Sequence, residues 1–360
     1  MPEATLARSS IYAARPTLRI AGQEDPRVSE LLLAMTMEEA EGGMSHLELR
    51  FANLAATEGG VELAFGARST LRLGAELSVY AGDEAAPREI FRGKISALEM
   101  VCSFGAPPEL VVLAEDALTL ARRDRQSRVF ADQSPADVVR AIASGLGLRP
   151  DISGLEQPVA SWAQLDETDL AFLRRLLARF DADLQIVGDA LQVAARADRS
   201  RGAIDLTLNN QLARVRVTAD LAHQATSVSV GGWNARDGSV VSGHASAPAH
   251  PGPGTGRDGT SWAGEVFPTR NVHLAGPAVD SDDEARAVAT AALDRRARRF
   301  VVAEGTAEGN ARLRVGAEVA LSGISDQFDN TYTVVHACHR FDMAQGYRTE
   351  FRAECAFLAG

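Results

Sequence analysis

Over the first 125 or so residues, apolar and polar positions alternate with a period of two. Leu18 and Ile20, Leu47, Leu49 and Phe51, Val61, Leu63 and Phe65, Leu71 and Leu73, Leu77 and Val79, and Val111 and Leu113 each fall on one side of a short run. That period predicts strands with one buried face. Turn signals at Glu58-Gly59-Gly60, Ala81-Gly82-Asp83 and Ala106-Pro107-Pro108 separate the runs, and many short strands of this kind suggest a barrel or sandwich.

Between about 126 and 200 the period changes. Ser134, Pro135 and Asp137 read as a helix start, with a capping hydroxyl, a proline at the first position and an acid in the first turn. Val138, Val139, Ile142 and Leu146 form its apolar stripe. A second helix begins at Thr168 and Asp169, with Leu170, Leu173, Leu177 and Phe180 on one face. Leu184 and Ile186, a Gly188-Asp189 turn, then Leu191 and Val193 predict a hairpin. Strands return at 204–208, 213–218 and 227–230. A Gly/Pro/Ser-rich loop covers 243–262, and Ser281 and Glu284 cap a helix running to about Phe300. Strands at 311–315, 318–322, 332–339 and 347–353 end the chain.

One stretch repeats. Leu71-Arg72-Leu73-Gly74-Ala75-Glu76-Leu77 recurs as Leu313-Arg314-Val315-Gly316-Ala317-Glu318-Val319, 242 residues on from position 71 to position 313, with five of seven positions identical. Both copies read as strand, tight turn at the glycine, strand. Leu71, Gly74, Glu76, Leu313, Gly316 and Glu318 are therefore expected to define a fold that occurs twice. Two related barrels would suit a ring, since three chains would present six barrels to a six-fold partner.

Composition narrows the class. The chain has 360 residues, 46% of them hydrophobic and 24% charged, and a net charge of −11, which fits a soluble multidomain protein and argues against broad nucleic-acid binding. Lys94 is the sole lysine among 37 basic residues. There is no membrane-length apolar run and no secretory h-region. Cys102, Cys338 and Cys355 are too sparse for a disulfide scaffold.

Candidate chemistry is thin. His336-Ala337-Cys338-His339 has metal-ligating residue types, but on a strand His339 points away from the other two and no second cluster completes a site. Gly254-Thr255-Gly256-Arg257-Asp258-Gly259 spells G-x-G-x-x-G but lacks a preceding strand and a following helix, and reads as a flexible loop. Asp326 and Asp329 read as turn residues, since the EF-hand spacing fails. No catalytic residue, metal or cofactor is expected. The runs Arg122-Arg123-Asp124-Arg125 and Arg295, Arg296, Arg298 and Arg299 leave open either solvated charge or contact with an acidic partner.

Several of these residues also carry a family resemblance. Phe91-Arg92-Gly93-Lys94-Ile95, Ala114-Glu115-Asp116-Ala117-Leu118 with Arg122-Arg123, and Asp132 to Val139 resemble the late control gene D protein family of contractile phages. Gln164 to Leu176, with Thr168, Asp169, Phe172, Leu173 and Leu176, is similar to the E-[ST]-D-x-x-F-L-x-R-L helix of that family and of VgrG spike proteins. Residues 323–351, including Tyr332 and Gly346 to Phe351, fit as well. The resemblance spans nearly the whole chain and is weakest over 1–15 and 235–280.

It implies a mainly β fold with an α+β insert, in which two related tube-like β-barrels form a pseudo-six-fold ring as a trimer. The parts would be an N-terminal arm (1–16), a first barrel (17–125), an α+β insert (126–203), a second barrel (204–234 and 301–360), and an inserted loop and helix (235–300). The implied role is a structural baseplate hub, not an enzyme, assembled from cytoplasm into a phage tail, an extracellular injection particle or a secretion system. Its implied partners are a homotrimer mate, a tail tube or tube-initiator protein, a separate spike protein and baseplate wedge proteins, with no membrane insertion and no sequence-specific nucleic acid. VgrG chains continue into an OB-fold and a β-helical spike where this sequence stops at Gly360, so the spike is expected on another polypeptide. The rival reading is a tail-associated cell-wall hydrolase, which needs a carboxylate pair that nothing in the sequence singles out.

Overall fold

The computed structural model describes residues 15–57, 60–66, 69–82, 87–199, 201–276 and 278–359. The proposed arm up to residue 14, and the turn residues Glu58, Gly59 and Asp83, lie outside the described residues. The chain is mainly β, built on one 13-stranded sheet with smaller sheets and helices attached.

The long sheet contains the same strand order twice. In the first half, Leu32–Ala40, His46–Ala52, Glu109–Glu115, Arg88–Val101, Glu76–Ala81 and Thr17–Ile20 lie side by side. In the second, Leu212–Ala219, Val301–Glu308, Gly346–Cys355, Asn330–Asp342, Glu318–Ser322 and Ala203–Thr207 follow the same sequence of neighbours. The irregularities match too. Register shifts interrupt the pairing between Leu32 and Ala34 and between Leu212 and Arg214, and again between Ile95 and Ala97 and between Val334 and His336. A β-bulge re-aims a strand at a fixed place, so its recurrence ties the two halves together more tightly than strand order does. The halves differ at the last strand, which is antiparallel to its neighbour at Thr17–Ile20 and parallel at Ala203–Thr207.

The repeated heptad is the turn that feeds this pattern. Gly74 donates to the Ile95 carbonyl at 2.8 Å and Ile95 donates to the Ala75 carbonyl at 2.9 Å; Gly316 and Val334, then Val334 and Ala317, make the same two bonds at 2.8 and 2.9 Å. Both glycines hold positive φ, +79° and +85°, where an L side chain is strained. Leu71 and Leu313 are buried beneath the turns.

Several expectations change. Residues 71–73 and 311–315 are turn and loop rather than strand: Leu71, Ala311 and Leu313 plug the cores from the turn side, while Leu73 is exposed. The Val61–Phe65 alternation yields only the short strand Gly60–Glu62. In Glu109–Glu115 the core side is Leu110, Val112 and Ala114; Val111 and Leu113 face the other way. Among the described residues neither half closes into a barrel: both are open arcs joined in one sheet. Ser227–Asn234 leaves the second half altogether and pairs with Ser239–Ala245 and Asn271–Leu274. The segment after it is therefore more than a loop and helix. It is a three-stranded sheet packed on the Asp282–Arg298 helix around Val228, Val230, Ala285 and Leu293. The helix packs this closely because Gly243 has backbone of Ala285 and Arg286 where a Cβ would stand.

The α+β insert has its own core. The helices Pro135–Gly145 and Asp169–Leu177 bury Val138, Val139, Ile142, Leu170, Phe172, Leu173 and Leu176 against the three strands Arg149–Ser153, Ala182–Val187 and Ala190–Ala195. Ser134 and Asp137 form the full reciprocal capping box.

The halves are joined where Asn330–Asp342, by its His336–Asp342 portion, pairs antiparallel with Leu32–Ala40. Glu39, 1% exposed, crosses this seam. Its carboxylate accepts from Arg314 Nε at 2.7 Å, from Arg314 Nη2 and from the Val315 N–H at 2.7 Å. Removing one partner of such a pair strands the other charge in the interior. Glu39→Ala is expected to lower unfolding free energy by about 3–5 kcal/mol, while Glu39→Leu combined with Arg314→Met loses much less; equal losses in denaturant titrations would refute the assignment.

Asp116 caps the turn leading out of the first half, accepting from Ser45 N at 2.6 Å and Leu118 N at 2.9 Å. Burial pushes its carboxyl up to about 6, against about 3.9 in an unfolded chain. The folded state thus holds this proton to higher pH, and its contribution to stability falls as pH rises from 4 to 6. The stability difference between wild type and Asp116→Asn should shrink by roughly 2 kcal/mol from pH 4 to pH 7; a flat difference in denaturant titrations at the two pH values would exclude this.

Candidate assembly interface

One face of the long sheet is apolar and buried; the other carries charge along its length. On the seam, Glu38 accepts from His336 Nε2 at 2.6 Å and lies 3.1 Å from His46 Nε2, and the His336 contact, ahead of burial, holds the Glu38 carboxyl below its usual range. Arg340 pairs with Glu350 at 3.0 Å and Arg348 with Asp342 at 2.7 Å. Arg214, Arg216, Glu304 and Arg352 line a hollow beside them, with a volume of about 820 Å³. Period-two alternation puts these side chains on one side while Leu47, Leu49, Phe51, Val334 and Phe351 fill the core on the other.

The cluster His336-Ala337-Cys338-His339 divides as its strand requires. His339 turns into the core, where its Nδ1 meets the Tyr347 hydroxyl at 2.8 Å and burial, with the Arg314 charge, pushes its pKa down to about 3. It is a neutral core histidine. Among the described residues no group of three or more His, Cys, Asp or Glu side chains could hold a metal ion. Asp329 accepts from the N–H groups of Gly323, Ile324 and Ser325 at 2.8, 2.8 and 3.1 Å, as a turn residue would.

The glycine-rich loop departs from expectation. A two-residue strand, Arg257–Asp258, pairs with Phe357–Leu358, and a helix, Gly259–Val266, starts at the final glycine. The N-terminus of that helix is taken by the Asp258 carboxylate, which accepts from Ser261 N at 2.9 Å. Gly254 packs against Cys355, Asn330 and Thr331 closely enough that a Cβ would collide. The glycines serve packing, with no open phosphate cradle.

The arginine run also resolves by residue. Arg298 is buried and grips both Asp181 oxygens at 2.6 and 2.7 Å. Arg295 donates to the Ala178 carbonyl at 2.6 Å and Arg296 to its own helix at Ala292. Arg299 alone of the four is exposed, 3.6 Å from Glu354. So three of the four are buried or half-buried on partners within the chain, and Arg298 and Arg295 fasten the Asp282–Arg298 helix to the α+β insert. The other run behaves similarly, with Arg122 on Glu115 and Arg125 on Asp166.

The resemblance-bearing helix serves the insert's core. Thr168 caps it by accepting from Ala171 N, Phe172 stacks on Phe130 at 5.6 Å, and Asp169 pairs with Arg128. Leu173 and Leu176 are buried. The heptad residues sit at the two turns already described, with Glu76 exposed and Glu318 half-buried.

Sequence reading missed the sheet's unpaired edges. On the side away from Glu109–Glu115, residues 96–101 have no strand partner among the described residues, and neither do residues 213–219 on the side away from Val301–Glu308. Leu98 and Met100 stand 38% and 45% exposed there. Long unpaired edges with apolar side chains are sites of strand addition.

Comparison with known proteins bears on the same features. No curated protein matches the sequence. Among solved structures, the chain is similar to the 43 kDa tail protein of prophage MuSo2 from Shewanella oneidensis (TM-score 0.68, 11% identity, 94% of this chain and 97% of that one). It is also similar to the tail protein from Neisseria meningitidis MC58 (TM-score 0.64, 12% identity, 95% and 96%). A third neighbour is the E. coli c3393 protein, a type VI secretion component described as structurally similar to the T4 tail proteins gp27 and gp5 (TM-score 0.58, 15% identity, 94% and 76%). At these identities the likeness shows a shared tail-protein fold. A family model described as the Alg8 N-terminal domain matches residues 51–342, and the chain belongs to that family.

Proposed function

We propose that this protein is the structural hub of a contractile tail or injection machine, a trimeric ring that adapts a six-fold inner tube to a three-fold spike. The observation that supports this most is the repetition of one six-strand arc, bulges included, within a single chain. Three copies would present six equivalent arcs around an axis while keeping only three-fold symmetry elsewhere. The role is mechanical, with no catalytic step. The resemblance to the late control gene D and VgrG proteins points the same way.

The two ends of the arcs favour different partners. The α+β insert leaves the sheet after Glu115, and the segment 220–300 leaves it after Ala219 and rejoins at Val301. Both departures lie at the end where Glu38 pairs with His46 and Val301 with Cys355. These additions are unlike each other, so that end is three-fold and suits the spike. The opposite end carries the hairpin 102–108 in one half and its counterpart 343–345 in the other, with Phe104 fully exposed and Met343 60% exposed at their tips. Six apolar tips suit a six-fold tube.

Light scattering of the purified protein should give three times 38.2 kDa, its complex with tube and spike proteins should contain three copies of it, and end-on particle images should show a ring of six lobes. A persistent monomer would overturn the reading. Phe104→Asp with Met343→Asp should keep the trimer and weaken its capture of the particle's own tube protein about tenfold or more; undiminished tube capture would reassign the faces.

A further inference from the structure

The seam between the two halves is a template for the contact between chains. Asn330–Asp342 occupies in the second half the place of Arg88–Val101 in the first, and Leu212–Ala219 occupies the place of Leu32–Ala40. The bulges fix the correspondence residue by residue. Val335 matches Ser96, and Leu33 matches Ala213. Within the chain, Phe341 lies opposite Met35, His339 opposite Met37 and Ala337 opposite Glu39. The strands that would make the equivalent contact in the other direction both end in open edges.

We infer that the 96–103 edge of one chain pairs antiparallel with the 214–220 edge of a second copy of this chain, with Cys102 opposite Val215, Met100 opposite Val217 and Leu98 opposite Ala219. This rests on the ring reading above and names the contact that would close it. Three observations favour a second copy as the occupant. First, the seam already present in the chain supplies both the partner strand type and its register. Second, the positions equivalent to Leu98 and Met100 are Ala337 and His339, both fully buried by the seam, whereas Leu98 and Met100 stand partly in solvent; they lack the neighbour that their counterparts have. Third, the facing edge offers matching apolar side chains in Val215, Val217 and Ala219, each half-buried and packed at the rim of the second core. On the other side of the sheet the register sets Glu99 opposite Thr218 and diagonal to Arg216, within reach for an opposite-charge cross-strand pair.

Cys102 makes the register measurable. It is the exposed cysteine, while Cys338 and Cys355 are buried. Directly opposed residues on antiparallel strands have Cα atoms about 4.5–5.5 Å apart, inside the range a disulfide spans; residues displaced by two along the strand lie beyond it. Val215→Cys, mildly oxidised, should convert most chains to covalent dimers and trimers on non-reducing gels, and adding Cys102→Ser should abolish them. Val217→Cys should give none with Cys102. Cross-linking through Arg214→Cys, Arg216→Cys or Val217→Cys in place of Val215→Cys would overturn the register while leaving the ring standing. A trimer by light scattering in which none of these four variants cross-links would overturn the edge pairing but not the ring. A monomer would remove both.

Discussion

The architecture depends on one strand doing two jobs. Asn330–Asp342 pairs along one edge with Gly346–Cys355. Along the other it pairs first with Glu318–Ser322 and then, past the bulge at Val335, with Leu32–Ala40. Without the bulge, the strand would run straight along its own half and the first half would have nothing to join. The extra residue turns the strand so that its second portion serves the neighbour. Backbone hydrogen bonds then run unbroken from one half to the other, and the apolar cores on either side meet at Phe341 and Tyr347, which pack with the first core though they belong to the second half.

Having two inserts at the same end follows from that arrangement and reinforces it. The insert of residues 126–199 docks on the turn after Leu32–Ala40. Asp183 accepts from Gly42 N at 2.6 Å, Gln185 donates to the Ala40 carbonyl at 2.9 Å, and Arg174 donates to the Gly42 carbonyl at 2.7 Å. Gly43 has to be glycine there, since its φ is +69° and the side chains of Leu184 and Leu118 press on it. Glu41, Asp181 and Asp183 meet Arg196, Arg199 and Arg298 just above the seam. Burial, with the nearby Arg298 and Arg199 charges, draws the Arg196 guanidinium below its ordinary range, and the surrounding carboxylates offset part of that cost.

Sequence made the local pieces legible and the assembly of those pieces only partly so. Alternation located Leu47–Phe51 and Leu77–Val79, capping residues placed the helices at Ser134, Thr168 and Ser281, and the heptad at Leu71 and Leu313 announced the repeat. Phase failed at Val111 and Leu113, because apolar residues also occur on the second face of this sheet. Leu71 and Leu313 read as strand because an apolar residue plugging a core from a turn has the same spacing as one in a ladder. Arg298 was unreadable as a buried ion pair, since Asp181 is 117 residues away and nothing local links them. The open edges were invisible for a general reason. An unpaired edge is defined by the absence of a neighbour, and only topology reports that.

The seam and the inferred junction between copies would differ in chemistry, and the order of assembly accounts for the difference. Inside the chain the seam buries Glu39 against Arg314 and sets His339 on Tyr347. A charge pair within one chain is desolvated as the chain folds, with its partner already tethered to the same polypeptide. A junction between copies must exist open before it closes. A carboxylate and a guanidinium on its two sides would each be hydrated beforehand, and desolvating them would cost more than their attraction returns. Apolar side chains carry no such penalty, gaining about 25 cal/mol for each Å² removed from water. Leu98, Met100, Val215, Val217 and Ala219, where the seam has Ala337, His339, Met35, Met37 and Glu39, follow that logic. The two halves share the backbone pattern, and the side chains at the matched positions differ in the sense expected if the seam forms during folding and the inferred contact forms after it.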